Sequence, residues 1–178
     1  TAEFIYIAGG EPFYMKSVQK FLDKLSKNQW NCSYTRIQIQ TNGVSNTPKF
    51  LDILSRFKRL EFSISVDGWG KVNEIIRFPT DHNTFIKNTD ELMQMNPFDI
   101  YFNITVQCMN LPNIDELVSN IKNRWGTALY NCHEKKRKLL KTKNITYPPV
   151  LFELHNLAGP HYLRTDNLKP HVIERVLE

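Results

Sequence analysis

At 178 residues, with 41% hydrophobic and 23% charged side chains, the chain has the length and composition of one ordinary globular domain with its own core, neither disordered nor fibrous. No apolar run approaches the roughly 20 residues that span a bilayer, and the first residues carry no signal-peptide pattern. The net charge of +5 invites a nucleic-acid reading, but the basic residues are scattered, and only the stretch from Lys135 to Lys143 is dense. That stretch reads first as a solvated helix face or loop and second as a contact for an acidic partner, so nucleic acid is not the expected partner.

In chain order, strand and helix signals alternate from the start. Phe4-Ile5-Tyr6-Ile7-Ala8 predicts a strand that ends in Gly9-Gly10-Glu11-Pro12. Pro12 suits a first helical turn, and Phe13, Val18, Phe21, Leu22 and Leu25 then recur at helical spacing. A second strand, Arg36 to Gln40, runs into Thr41-Asn42-Gly43, and Thr47-Pro48 opens a helix with Phe50, Leu51, Ile53, Leu54 and Phe57 on one side. A third strand, Glu61 to Val66, ends in Asp67-Gly68, with Arg77 in the loop and short helix beyond it. A helix follows from about Asn83 to Met95, then a strand from Asn103 to Val106 with Asn110 in its loop, then a helix after Pro112. From Gly126 to Pro149 the pattern loosens into a basic, polar stretch that predicts an insertion or crossover. Val150 to Leu154 reads as a last strand and Lys169 to Leu177 as a terminal helix.

Strands that alternate with helices at this period imply a parallel sheet covered by helices, either an open doubly wound sheet or a closed or partly closed barrel. Periodicity does not separate the two. In either case the C-terminal strand ends gather the polar residues around one concavity. Three cysteines, Cys32, Cys108 and Cys132, are odd in number and lack metal-ligand spacing, which predicts reduced thiols in a cytoplasmic protein.

The strand ends carry the chemistry. Gly9 and Gly10 allow a carbonyl edge beside the Glu11 carboxylate, an arrangement that suits an ammonium group; a tight turn with Glu11 favouring the helix dipole is the plainer alternative. Thr41-Asn42-Gly43 is a turn signal. Ser63 and Ser65 share one face of their strand, and Phe62, Ile64 and Val66 take the other. Asp67 offers acceptors to a ribose or begins a turn, and Arg77 suits a carboxylate or is a surface arginine. Asn103 and Thr105 point together on the fourth strand. As a set, these groups fit a nucleoside linked to an amino acid.

The series GGEP, TNG, SISVDG, an arginine about ten residues later and a strand ending near an NLP loop resembles the radical S-adenosylmethionine (SAM) superfamily, in particular its branch with SPASM or twitch extensions. The resemblance covers roughly Phe4 to Trp125 and implies an α/β fold, a partial (β/α)6 TIM-like barrel of parallel strands. It implies that residues 1–125 form the barrel, 126–149 an insertion or crossover, and 150–178 the last strand and helix or the start of an extension. It assigns Gly9, Gly10 and Glu11 to the methionyl amino group, Thr41 and Asn42 to the same pocket, Ser65 and Asp67 to the ribose, Arg77 to the methionyl carboxylate and Asn103 to the nucleoside.

The activity so implied is reductive cleavage of SAM by a [4Fe–4S] cluster to a 5′-deoxyadenosyl radical. That radical abstracts hydrogen from a peptide, protein or other sizeable substrate, with electrons from a donor such as flavodoxin or ferredoxin. The family's three cluster cysteines, spaced C-x3-C-x2-C, do not occur in these residues. The expectation is therefore that the first βα unit and the cluster loop lie upstream of Thr1 and that this fragment alone is inactive. The alternative reading is a cluster-less barrel that binds a nucleoside or another protein.

Overall fold

The computed structural model describes residues 2–141 and 152–169. Five strands, β1 (Phe4–Ile7), β2 (Arg36–Thr41), β3 (Arg59–Ser65), β4 (Asp99–Val106) and β5 (Phe152–Asn156), form one sheet. They lie in the order β1-β2-β3-β4-β5, and each neighbouring pair is parallel. This order decides between the two architectures left open by periodicity. A doubly wound sheet reverses its strand order at a switch point, whereas a barrel winds in one direction throughout, as this sheet does. The fold is α/β, an open five-stranded arc of a TIM-like barrel.

The helices are α1 (Lys16–Ser26), α2 (Gln29–Tyr34), α3 (Pro48–Ser55), α4 (Lys71–Ile76), α5 (His82–Gln94) and α6 (Ile114–Lys141). Local chemistry sets where several begin. The Asn28 side chain caps α2 by accepting from Trp30 N and Asn31 N, Thr47 caps α3 by accepting from Phe50 N ahead of Pro48, and Asp81 caps α5 by accepting from Thr84 N. Each cap satisfies a main-chain donor that has no partner inside the helix.

Period-two alternation divides the sheet into two unlike faces. Ile37, Ile39, Leu60, Phe62, Ile64, Ile100, Phe102 and Ile104 are buried on the face covered by helices. Each such side chain contributes roughly 1.5–3 kcal/mol by leaving water. Phe102 joins the layers, stacking on Trp125 of α6 with ring centroids 5.4 Å apart and on Phe152 of β5 at 6.3 Å. The other face carries Gln38, Gln40, Ser63, Ser65, Tyr101 and Asn103. One cavity on it touches side chains from all five strands, which shows that the sheet curls around its polar side.

Several boundaries differ from expectation. Pro12 opens a turn (Tyr14 N donates to Glu11 O, Met15 N to Pro12 O) and α1 begins only at Lys16. Of the residues placed on the apolar face of that helix by spacing, Leu22 is fully buried but Phe21 is 48% exposed. The short helix α2 has no apolar periodicity to announce it and rests on its Asn28 cap. Strand β4 begins at Asp99 rather than Asn103.

Helix α6 runs unbroken to Lys141, into the stretch expected to loosen after Trp125, because Leu117, Ile121, Trp125, Leu129 and Cys132 hold one buried stripe. Residues 142–151 and, of the terminal helix expected over Lys169 to Leu177, residues 170–177 lie outside the described residues. No helix among the described residues is long and apolar enough to cross a membrane.

Candidate functional site

At the C-terminal end of β1 the chain turns through Gly9 at φ +91° and Gly10 at φ +58°, values open to glycine at little cost. Both residues are exposed, and neither carbonyl accepts a hydrogen bond among the described residues. The next residue, Glu11, is buried, and its carboxylate is already engaged. Oε1 accepts from Phe13 N at 3.1 Å and from the Thr41 hydroxyl at 2.8 Å, and Oε2 accepts from Asn42 N at 2.8 Å. Thr41 Oγ1 accepts in turn from Gly43 N. The Glu11 carboxylate is thus a clip between the ends of β1 and β2. The acceptors left for an ammonium at this loop are the main-chain carbonyls of Gly9 and Gly10.

A second node stands at the end of β3. Asp67 is 4% exposed; Oδ1 accepts from Thr105 N at 2.7 Å, and Oδ2 lies 2.8 Å from Arg77 Nε. The guanidinium is held as a contact ion pair rather than an aligned hydrogen bond, since Nε directs no hydrogen onto the carboxylate. Around this pair Asn73 Oδ1 accepts from Asp67 N, and Asn110 Nδ2 donates to both Asp67 O and Thr105 O. Gly68 is tight against α4: a Cβ there would sit 2.5 Å from Val72 Cγ1. Asp67 therefore holds Arg77 in place and ties β3 to β4.

Arg77 is shared by two cavities. The rim cavity, about 430 Å³, has a polar side of Asn42, Asp67, Arg77 and Gln107 and an apolar side that includes Leu157 and Leu163. The inner cavity, about 380 Å³, lies on the polar face of the sheet and includes Ser65, Asn103 and Thr105 with Arg77. Ser65 and Asn103 are register neighbours on β3 and β4. Asn103 Nδ2 donates to Ser63 Oγ at 2.9 Å, while its buried Oδ1 has no hydrogen-bond partner among the described residues. A buried acceptor without a donor is costly unless something supplies one.

The structure thus brings Asn42, Ser65, Asp67, Arg77 and Asn103 to the cavity walls and places Glu11 and Thr41 in the support behind them. Gly9 and Gly10 line neither cavity. The sequence reading passed over Gln38, Gln40 and Tyr101 on the inner face. The signal was present in Arg36-Ile37-Gln38-Ile39-Gln40, whose alternation places both glutamines opposite the buried isoleucines.

The N-terminal end of the sheet holds a different set of charges. Glu61 is 3% exposed and Asp99 7%, side by side on β3 and β4. Lys136 of α6 pairs with Asp99, and Arg36 Nε lies 3.7 Å from Glu61. Burial pushes the Glu61 carboxyl above the ordinary glutamate range, with Lys136 and Arg36 pulling partly back. Lys135 donates to Asn96 O and Oδ1, both at 2.8 Å, and Arg137 pairs with Glu134. The basic run of the sequence therefore begins as ties between α6 and the lower edge of the sheet.

The radical SAM superfamily model matches residues 2–122, two thirds of the sequence. The chain belongs to the radical SAM superfamily. Solved structures agree on the radical SAM fold. Streptococcus suis SuiB bound to S-adenosylmethionine superposes with a TM-score of 0.55 at 15% identity, covering 89% of this chain and 38% of that one. SuiB bound to its precursor peptide SuiA gives 0.53 at 14% identity, with 89% and 38% covered. A domain of pyruvate-formate lyase-activating enzyme from Bacteroides vulgatus gives 0.51 at 13%, covering 97% of this chain and 89% of that one. At these identities the likeness is one of fold. The chain spans about two fifths of the length of SuiB. No curated protein matches it.

The two groups that radical SAM membership implies fare differently against the residues present. The strand ends fit SAM: free carbonyls at Gly9 and Gly10, a cation preset at Arg77, and an unpaired buried acceptor at Asn103 Oδ1. The described residues do not fit an iron–sulfur cluster, since they contain no group of three or more Cys, His, Asp or Glu able to hold a metal. Cys32 precedes β2 and its thiol donates to Ser26 O, Cys108 follows β4, and Cys132 is buried on α6.

Proposed function

We propose that this chain is the SAM-binding part of a radical SAM enzyme, holding the cofactor at the C-terminal strand ends beside a peptide or other sizeable substrate. The observation that carries the reading is the Asp67–Arg77 pair between two cavities. It keeps a guanidinium, the side chain best matched to a carboxylate, in place before any ligand arrives. In this reading Arg77 takes the methionyl carboxylate, the Gly9 and Gly10 carbonyls take the ammonium, and Ser65 and Asn103 Oδ1 face ribose hydroxyls. Glu11, Thr41 and Asn42 hold the glycine loop in position.

SAM would supply the chemistry of the family, a carbon-centred radical released on its one-electron reduction, and the chain's own residues would bind and orient it. The substrate side of the proposal draws on the open, curled face of the sheet, and on SuiB having been captured with a precursor peptide. An electron donor of the flavodoxin or ferredoxin type and a cytoplasmic setting complete the reading.

Titration calorimetry of the chain with SAM tests it. The expected result is binding that weakens about ten- to a hundredfold in Arg77→Ala, the loss of one charge-assisted pair. SAM affinity equal in the two proteins, or none in either, contradicts the assignment.

A further inference from the structure

The lower part of the inner cavity, away from Arg77, has a composition of its own. It is built from Tyr6, Gln38, Gln40 and Tyr101, with Glu153 and His155 of β5 level with Asn103 and Thr105 above it, and none of the ten described residues around the whole cavity has an aliphatic side chain. A pocket for a small ligand is ordinarily lined mostly by apolar groups with a few polar ones. Here the proportion is inverted, on the face of the sheet that no helix among the described residues covers.

The polar groups are held in fixed roles. Tyr6 donates to Gln40 Oε1 at 2.6 Å, so the Gln40 carboxamide presents its N–H2 inward, where it meets Ser65 Oγ at only 3.4 Å. Gln38 Nε2 donates to the Tyr101 hydroxyl, which leaves Gln38 Oε1 as an acceptor with no hydrogen-bond partner among the described residues. Two carboxamides on one strand face, two residues apart, thus offer spare amide N–H donors and one unused acceptor. Burial pushes the Tyr101 phenol above its ordinary range, with a hydrogen bond to Ser63 opposing, so the group stays a neutral hydroxyl at physiological pH. Glu153, on the β5 side, adds a carboxylate 3.7 Å from His155 Nε2.

We propose that this part of the cavity binds the reacting segment of the substrate through an uncharged group that both donates and accepts hydrogen bonds, a carboxamide or a hydroxyl, and that it rejects aliphatic side chains. The proposal rests on the strand-end site being the SAM site, since that places the substrate on this face. The physical reason is asymmetric. An apolar group seated here strips water from Gln38 and Gln40 and returns no hydrogen bond, whereas a carboxamide or hydroxyl satisfies both. Sites built to hydrogen-bond a substrate discriminate strongly against the analogue that lacks the group.

The test is an NMR titration of the intact chain, with and without saturating SAM, against three probes: the N-acetyl methylamides of L-asparagine, L-serine and L-leucine. All share the peptide amides and differ only in side chain, so the first two separate the carboxamide source from the hydroxyl source. The expected result is that at least one of the asparagine and serine probes shifts the resonances of Gln38, Gln40 and Tyr101. That probe binds about tenfold or more tightly than the leucine probe. Gln38→Met and Tyr101→Phe should each bring the ratio towards one while leaving SAM affinity unchanged; the two variants guard against a folding defect in either. Leucine binding as tightly as the polar probes, or no shift at these residues with either polar probe, overturns the proposal. Intact selectivity with no SAM binding would instead sink the assignment of the SAM site and leave the polar pocket standing.

Discussion

Asp67 and Arg77 are ten residues apart in the chain, and their pairing decides what each can do for a ligand. With Oδ1 on Thr105 N and Oδ2 beside the guanidinium, the proposed site leaves Asp67 to act on SAM only through Arg77. Asp67→Asn keeps an oxygen for Thr105 N but turns an amide N–H2 towards a cation. We expect SAM affinity to fall about tenfold, and the double variant with Arg77→Ala to bind no more weakly than Arg77→Ala alone, measured as a calorimetric cycle. Additive losses would mean that Asp67 touches the ligand itself. The sequence singled out polar residues that the structure places at the strand ends, and missed Gln38, Gln40 and Tyr101. The division into cavity-lining and supporting groups was not legible, because it depends on pairs such as Glu11–Thr41 that folding brings together across 30 positions. Glu61, at the other end of the sheet, makes a prediction about pH. Its folded pKa is raised by burial above the unfolded value, so between the two the folded protein binds more protons than the unfolded chain. Its contribution to stability is therefore present at low pH and lost as pH rises through the raised pKa. The melting temperature of Glu61→Gln relative to wild type should climb from pH 4 to pH 8; a difference that is flat or falls with pH would contradict the assignment.

Among the elements, α6 is where sequence and structure part most. Basic residues cluster in it beyond Trp125 and mask the apolar stripe, yet Leu129 continues the four-residue steps of Leu117, Ile121 and Trp125, and Cys132 follows three residues on. The strands were legible because their alternation is short and strict, and helices α3 and α5 because their caps and apolar faces agree. Leu129 is 1% exposed, and its truncation would leave a void between α6 and the sheet. Leu129→Ala should cost about 2–5 kcal/mol in urea denaturation, the range for a buried leucine, and an effect near zero would mean that α6 ends its packing at Trp125.

For the whole molecule, the βα period was visible as far as Trp125 but the strand order was not, since periodicity reports each element and says nothing of its neighbours. The order β1-β2-β3-β4-β5 curls the polar face inward and puts the ends of β1 to β4 on one rim, with the Glu61–Asp99 charges at the opposite end. The two ends make opposite claims about where SAM acts, and amide hydrogen exchange on the intact chain with and without SAM reads both at once. The account predicts added protection confined to the rim segments, residues 9–11, 41–43, 65–68 and 103–107, with the lower end unchanged. Protection centred on the lower end, or none anywhere at saturating SAM, would contradict it.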